Sequence, residues 1–248
     1  MTDSASTAAD SIQSPRSASI AAIIPAAGSG QRFGAARNKL FATLRGTPLW
    51  FHAASRLRDQ PDVGRIVMAI SAADRESFQG EYAKLVEQLG VELVIGGKER
   101  TDSVQAGLSL LSSDSSIRCI AVHDAARPLV SDADLSAVFS EALRSGAAIL
   151  ATPVSGTIKR DLNGGNRIET VDRRDLWVAL TPQVFDVGLL TEAYRKHNGR
   201  PATDDAQLVE RLGQAVTLVR GSADNLKITY PDDLLLAEAI LDRQHNNA

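Results

Sequence analysis

The chain reads as an α/β protein with a mostly parallel sheet covered on both faces, and two observations predict it. Short β-branched or aliphatic runs alternate with amphipathic stretches of helical length. The unusual polar and glycine-rich sequences fall just after those runs, where open sheets of this kind bind ligands. With 248 residues and 44% hydrophobic content the chain can bury a full core.

In chain order, residues 1–18 are rich in Ser and Ala, carry Asp3 and Asp10, and lack the apolar stretch of a secretory signal. They read as a disordered tail before one domain over residues 19–245. Strands are expected at 20–24, 66–70, 91–95, 120–123, 147–152 and 216–219, and helices at 71–89, 103–111, 132–143 and 232–241. Pro231 with Asp232 and Asp233 marks the start of the last helix, since proline suits the first turn and carboxylates favour the positive dipole end. Residues 153–177 break the rhythm: they are polar and centre on Asn163-Gly164-Gly165-Asn166, a turn between two short extended pieces. Such a hairpin has too few apolar residues to pack alone, so it predicts an arm lying on a second copy in a homodimer.

Composition removes several function classes. Lys and Arg number 27 against 30 Asp and Glu, a net charge of −3, which disfavours a broad basic face for nucleic acid. No stretch approaches the length of a membrane span. Cys119 is the sole cysteine, which rules out an intramolecular disulfide and a thiolate zinc cluster and fits a reducing cytoplasm. Its apolar setting reads as core.

The strand Ile23-Ile24-Pro25 runs into Ala26-Ala27-Gly28-Ser29-Gly30-Gln31-Arg32-Phe33-Gly34, with Lys39 five residues on. Backbone amides of a glycine-rich turn can converge on an anion, and Arg32 and Lys39 add positive charge on the same side. The spacing matches neither the dinucleotide fingerprint nor a P-loop. Two further polar loops follow strands: Gly96-Gly97-Lys98-Glu99-Arg100 and Asp124-Ala125-Ala126-Arg127-Pro128. Three such loops imply one cleft suited to a nucleoside triphosphate.

Attack at the α-phosphorus expels pyrophosphate, so the protein must position groups and neutralise developing charge. Arg32, Lys39 and Lys227 supply separate cations for that task. A phosphate monoester acceptor is mostly ionised at pH 7 and needs no general base. Asp124, at a strand end, suits Mg²⁺ or a ligand hydroxyl, the competing role being an ion pair with Arg127. Asp224 suits either a second metal oxygen or a turn cap. His123 reads as structural, since no serine nucleophile elbow accompanies it.

Taken together, Pro25-Ala26-Ala27-Gly28-Ser29-Gly30-Gln31-Arg32, Gly96-Gly97-Lys98-Glu99-Arg100-Thr101-Asp102-Ser103-Val104, His123-Asp124-Ala125-Ala126-Arg127-Pro128, Leu180-Thr181-Pro182-Gln183, Thr203-Asp204-Asp205-Ala206 and Asp224-Asn225-Leu226-Lys227 resemble the 2-C-methyl-D-erythritol 4-phosphate cytidylyltransferases of the non-mevalonate isoprenoid pathway. The resemblance implies a Rossmann-like nucleotidyltransferase sheet with a protruding β-arm at about 154–178 for dimerisation. It implies Mg²⁺-dependent transfer of CMP from CTP to methylerythritol phosphate, with release of pyrophosphate. It assigns Arg32, Lys39 and Lys227 to the triphosphate and transition state, and Ala26, Ala27, Gly28, Gly30, Gly97, Asp102 and Ser103 to the nucleotide. Asp124 and Arg127 fall near ribose, metal and acceptor. Thr157, Arg173, Thr181 and Thr203 are assigned to methylerythritol phosphate, the arm residues reaching a neighbouring subunit's site. One departure touches loop stiffness: relatives usually carry proline before the lysine and often glutamine after it, and this chain has Asn38 and Leu40. The alternatives are a cytidylyltransferase for another polyol phosphate, such as ribitol 5-phosphate, and a nucleotide-binding regulator without catalysis.

Overall fold

Strand β1 (Ile20–Ala26) is apolar on both sides: Ile20, Ala22 and Ile24 enter one core cluster, Ala21 and Ile23 the other. Successive strand residues point to opposite faces, so this strand requires helices on both. The computed structural model describes residues 18–28, 33 and 38–246, and it meets that requirement. Residues 1–17 of the expected tail lie outside the described residues, as do Gly30 and Arg32.

β1 pairs in parallel with β4 (Val63–Ile70) and β6 (Cys119–Val122), and β4 pairs in parallel with β5 (Val91–Ile95). β10 (Trp177–Asp186) runs antiparallel between β6 and β7 (Ala147–Pro153), and β11 (Thr217–Arg220) lies parallel to β7. The resulting seven-stranded order is β11-β7-β10-β6-β1-β4-β5. A small hairpin of β2 (Thr43–Leu44) and β3 (Thr47–Pro48) stands apart.

Helices α1 (Leu49–Arg58) and α5 (Asp132–Ser145) place Trp50, Leu57, Leu135 and Phe139 on one face of the sheet. On the other, α4 (Arg100–Leu111), α6 (Val187–Arg195) and α7 (Asp205–Glu210) contribute Val104, Leu108, Leu190, Leu208 and Val209. α8 (Asp233–Asn246) seats Ala237, Ile240 and Leu241 with Leu44, Leu49 and Leu129. Among the described residues no helix is long and apolar enough to cross a membrane.

Three expectations need correction. The helix expected over 71–89 is a 3-10 turn at Ala72–Asp74, then α2 (Arg75–Gln79) and α3 (Ala83–Leu89). Gly80, at φ −109° and ψ −90°, breaks it, as the residue that loses most on entering a helix is apt to do. β10 begins at Trp177, so the sheet takes up the end of the segment read as arm. Finally, β6 ends at Val122, and His123 lies just past it.

The hairpin itself is present, with β8 (Ile158–Asp161) antiparallel to β9 (Ile168–Val171). Gly164 and Gly165 turn at φ 66° and 94°, and the Asp161 carboxylate accepts from the Asn163 and Gly165 amides at 3.0 and 2.8 Å. These positive φ values favour glycine. Ile158, Leu162 and Ile168 are exposed along it.

Candidate active site

Strand order reverses at β1, whose neighbours are β4 on one side and β6 on the other. A crevice beyond the strands' carboxyl ends is expected at such a point. A cavity of about 530 Å³ lies there, lined by residues 25–28 after β1, residues 97–100 and Ser103 after β5, residues 124–126 after β6, and Lys39, Leu40, Lys227 and Thr229. The three polar loops share one cleft, as the sequence predicted.

Glycine allows the β5 loop its position. A Cβ on Gly96 would meet Ser103 Oγ at 2.5 Å and Ala27 Cβ at 2.8 Å, and one on Gly97 would collide with Asp102. The loop therefore lies between the β1 turn and the start of α4. There Asp102 accepts from the Glu99 amide at 3.0 Å in a reciprocal capping box. The N-terminus of α4 faces the cavity with its positive dipole end.

A chain of hydrogen bonds fixes Asp124. The Asp124 amide donates to Thr181 Oγ1 at 3.1 Å. His123 Nε2 lies 3.0 Å from the Arg127 carbonyl, which can only accept, so Nε2 carries the proton. Nδ1 then accepts from the Thr181 hydroxyl at 3.1 Å. Burial pushes His123 down to about 4, and this neutral tautomer satisfies every bond. Thr181 sits where the register of β10 against β7 is interrupted, between Ala179 and Gln183.

The C-terminal segment locks onto the same loop. Asn225 Nδ2 donates to the Thr181 carbonyl at 2.8 Å, Arg127 Nη1 to the Asn225 carbonyl at 2.7 Å, and the Ile228 amide to the Ala126 carbonyl at 2.8 Å. Lys39 Nζ reaches the Ile228 carbonyl at 2.8 Å. Two lysines 188 positions apart in the chain are thereby brought to one wall. Asn38 supplies local order in place of proline: its Oδ1 accepts from the Leu40 amide at 3.1 Å and its Nδ2 donates to Asp74 Oδ2 at 2.8 Å.

Charge converges on Asp124. Lys227 Nζ lies 2.8 Å from Oδ2, Arg100 Nε 3.2 Å from Oδ1 and Arg127 Nε 3.7 Å from Oδ2. Burial alone would raise the carboxyl, but Arg100, Lys227 and Arg127 outweigh it and hold Asp124 well below the usual range. For Arg127 burial prevails and lowers the guanidinium. Burial acts the same way on Arg100, yet Asp205 and Asp124 overcome it and raise the group.

Of the residues predicted for the site, Ala26, Ala27, Gly28, Lys39, Gly97, Ser103, Asp124 and Lys227 line the cavity. Arg127 and Thr181 stand behind its lining as supports, and the exposed Asp102 braces the lining residue Glu99. Thr203 is exposed and donates its amide to Gln207. Thr157 and Arg173 lie on the arm, away from the lining, with Arg173 bonded to the Ser155 carbonyl. The Asp224 carboxylate is taken by Arg243 and does not line the cavity. Among the described residues no group of three His, Cys, Asp or Glu could hold a metal. Arg100, missed as a functional group, lines the cavity and touches two carboxylates; its place directly after the Gly-Gly loop was the available signal.

A profile of the 2-C-methyl-D-erythritol 4-phosphate cytidylyltransferases (IspD) matches residues 20–243. The protein of that name from Rhodopirellula baltica is 52% identical over 233 residues, covering 90% of this chain and 95% of the relative. The one from Bacillus velezensis is 42% identical over 228 residues, covering 91% and 97%. The crystal structure of the Thermus thermophilus protein superposes with a TM-score of 0.74 at 34% identity, covering 89% of this chain and 98% of that one.

Proposed function

The chain belongs to the 2-C-methyl-D-erythritol 4-phosphate cytidylyltransferase family, and on that premise we propose how it carries out the family's reaction. CMP passes from CTP to 2-C-methyl-D-erythritol 4-phosphate, pyrophosphate leaves, and 4-diphosphocytidyl-2-C-methyl-D-erythritol forms for isoprenoid synthesis. The observation that carries this reading is the strand-end cavity in which Arg100 and Lys227 face Asp124 and Lys39 lines the same space.

In this mechanism the small residues Ala26, Ala27, Gly28 and Gly97, with Ser103, admit the cytidine, and the amides at the start of α4 face anionic groups. An ionised oxygen of the acceptor phosphate attacks the α-phosphorus and the bond to pyrophosphate breaks. With a second pKa near 6, the acceptor needs no protein base. Lys39, Lys227 and Arg32 offset the negative charge that grows on the equatorial and leaving oxygens. Asp124 lines the cavity and would present an oxygen to a magnesium ion held mainly by substrate phosphates, whereas Asp224 lies outside the lining. Mg²⁺ bound there would neutralise phosphate charge. The exposed apolar residues of the arm support a homodimer in which Thr157 and Arg173 serve the acceptor phosphate of the neighbouring site. A buried, unpaired Cys119 accords with a reducing cytoplasm.

The test is pyrophosphate release by purified protein with CTP, Mg²⁺ and one polyol phosphate at a time. Turnover with methylerythritol phosphate is expected. Turnover with ribitol 5-phosphate alone would reassign the acceptor, and none with either would leave a nucleotide binder.

A further inference from the structure

Arg100 joins two carboxylates with different surroundings. Its Nη1 donates to Asp205 Oδ2 at 2.7 Å and its Nε to Asp124 Oδ1 at 3.2 Å. Asp205 is fully buried and absent from the cavity lining. Its other oxygen accepts from the Tyr194 hydroxyl at 2.5 Å, and its amide donates to Gln183 Oε1 at 3.1 Å. Held from three sides, Asp205 cannot follow a ligand. Asp124 does line the cavity, and its second oxygen holds Lys227 at 2.8 Å. Lys227 therefore has competing anions, the carboxylate it touches and the phosphates it must serve. If it left, only Arg127 Nε, at 3.7 Å, would remain on that oxygen, and a buried carboxylate short of close cations is costly unless Arg100 holds the other. Arg100, pinned from behind, keeps Asp124 paired throughout.

We propose that Asp205 is a positioning residue for catalysis: by fixing Arg100 against Asp124 it frees Lys227 to move from that carboxylate to the phosphates. The inference rests on Lys227 acting on the phosphates, as argued above. It also gives a role to Asp205, which the sequence motif Thr203-Asp204-Asp205-Ala206 carries without an assigned task.

The experiment compares Asp205→Asn, Arg100→Lys and Lys227→Ala with the double variants Asp205→Asn/Lys227→Ala and Arg100→Lys/Lys227→Ala. Turnover is read as pyrophosphate release and CTP affinity by calorimetry. Asparagine keeps the shape of Asp205 without its charge, and lysine keeps the charge of Arg100 without the fork that spans two carboxylates. Each change alone should lower kcat about tenfold and leave the Kd for CTP within about twofold. In the Lys227→Ala background each should cost less than about twofold, because the lysine being freed is gone. Equal losses in both backgrounds, or no loss from either change alone, would overturn the proposal. Normal turnover by Lys227→Ala itself would instead overturn the role of Lys227. Circular dichroism reports whether Asp205→Asn folds; should it fail, Arg100→Lys, altered at the cavity wall, carries the comparison.

Discussion

Around Asp124 the charged groups find their partners within the chain: Lys227, Arg100 and Arg127 face one carboxylate, and Asp205 and Tyr194 stand behind Arg100. Along β8 and β9 the arrangement is reversed, with Ile158 and Ile168 turned to solvent and the charged pairs, such as Arg160 with Glu169, exposed. Buried pairs fix geometry, because breaking one strands the other, while exposed pairs add little. The difference teaches that the cavity's charged groups are preorganised by the chain's own core, whereas the arm leaves its apolar side chains and its ion pairs at the surface.

That contrast can be broken at its strongest point first. Replacing Lys39 or Lys227 by Ala should lower kcat by on the order of 10² to 10³, or roughly 3 to 4 kcal/mol, as for loss of one transition-state donor. Unchanged turnover in both would show the cavity cations to be bystanders.

A second measurement asks whether the cavity's support is as tightly coupled to folding as its geometry implies. Burial holds His123 at about 4, below the roughly 6.5 of an unfolded chain. Between those values the unfolded state takes up the proton and the folded state does not, so the neutral histidine's stability is fully present above about 6.5 and is lost as pH falls toward 4. The size is roughly 3 kcal/mol. Urea titrations at pH 7 and pH 4.5 should show that loss in the parent and a smaller one in His123→Gln; parallel losses would mean that the ring protonates without cost.

The third change tests the arm. Arg173→Ala should raise KM for methylerythritol phosphate about tenfold, roughly 1.4 kcal/mol, while leaving KM for CTP and thermal stability close to the parent. Equal shifts in both KM values would place the arm's effect on the cavity as a whole and dissolve the division drawn above.

Much of this was legible in the residues. Apolar runs marked six of the seven sheet strands, most plainly β1, β4, β6 and β7, whose burial on both faces requires such composition. β10 escaped because Thr181-Pro182-Gln183 reads as loop, and its register is indeed interrupted there. The cleft was foreseeable from three polar loops after strands. Its wiring was not: Asp124 and Lys227 are separated by 103 positions and Arg100 and Asp205 by 105, and nothing local to either member announces its mate. Likewise Thr181 could be recognised as belonging to the site, but only the fold shows its hydroxyl shared between Asp124 and His123.

Asn38 carries a last consequence. A proline ring restrains the chain through covalent geometry, which heat does not loosen. Here the Asn38 side chain holds residues 38–40 by hydrogen bonds, from the Leu40 amide and to Asp74, and bonds of that kind can open while the rest of a protein stays folded. The hold of Asn38 on the residues around Lys39 thus depends on side-chain partners, Asp74 among them, rather than on a ring of its own.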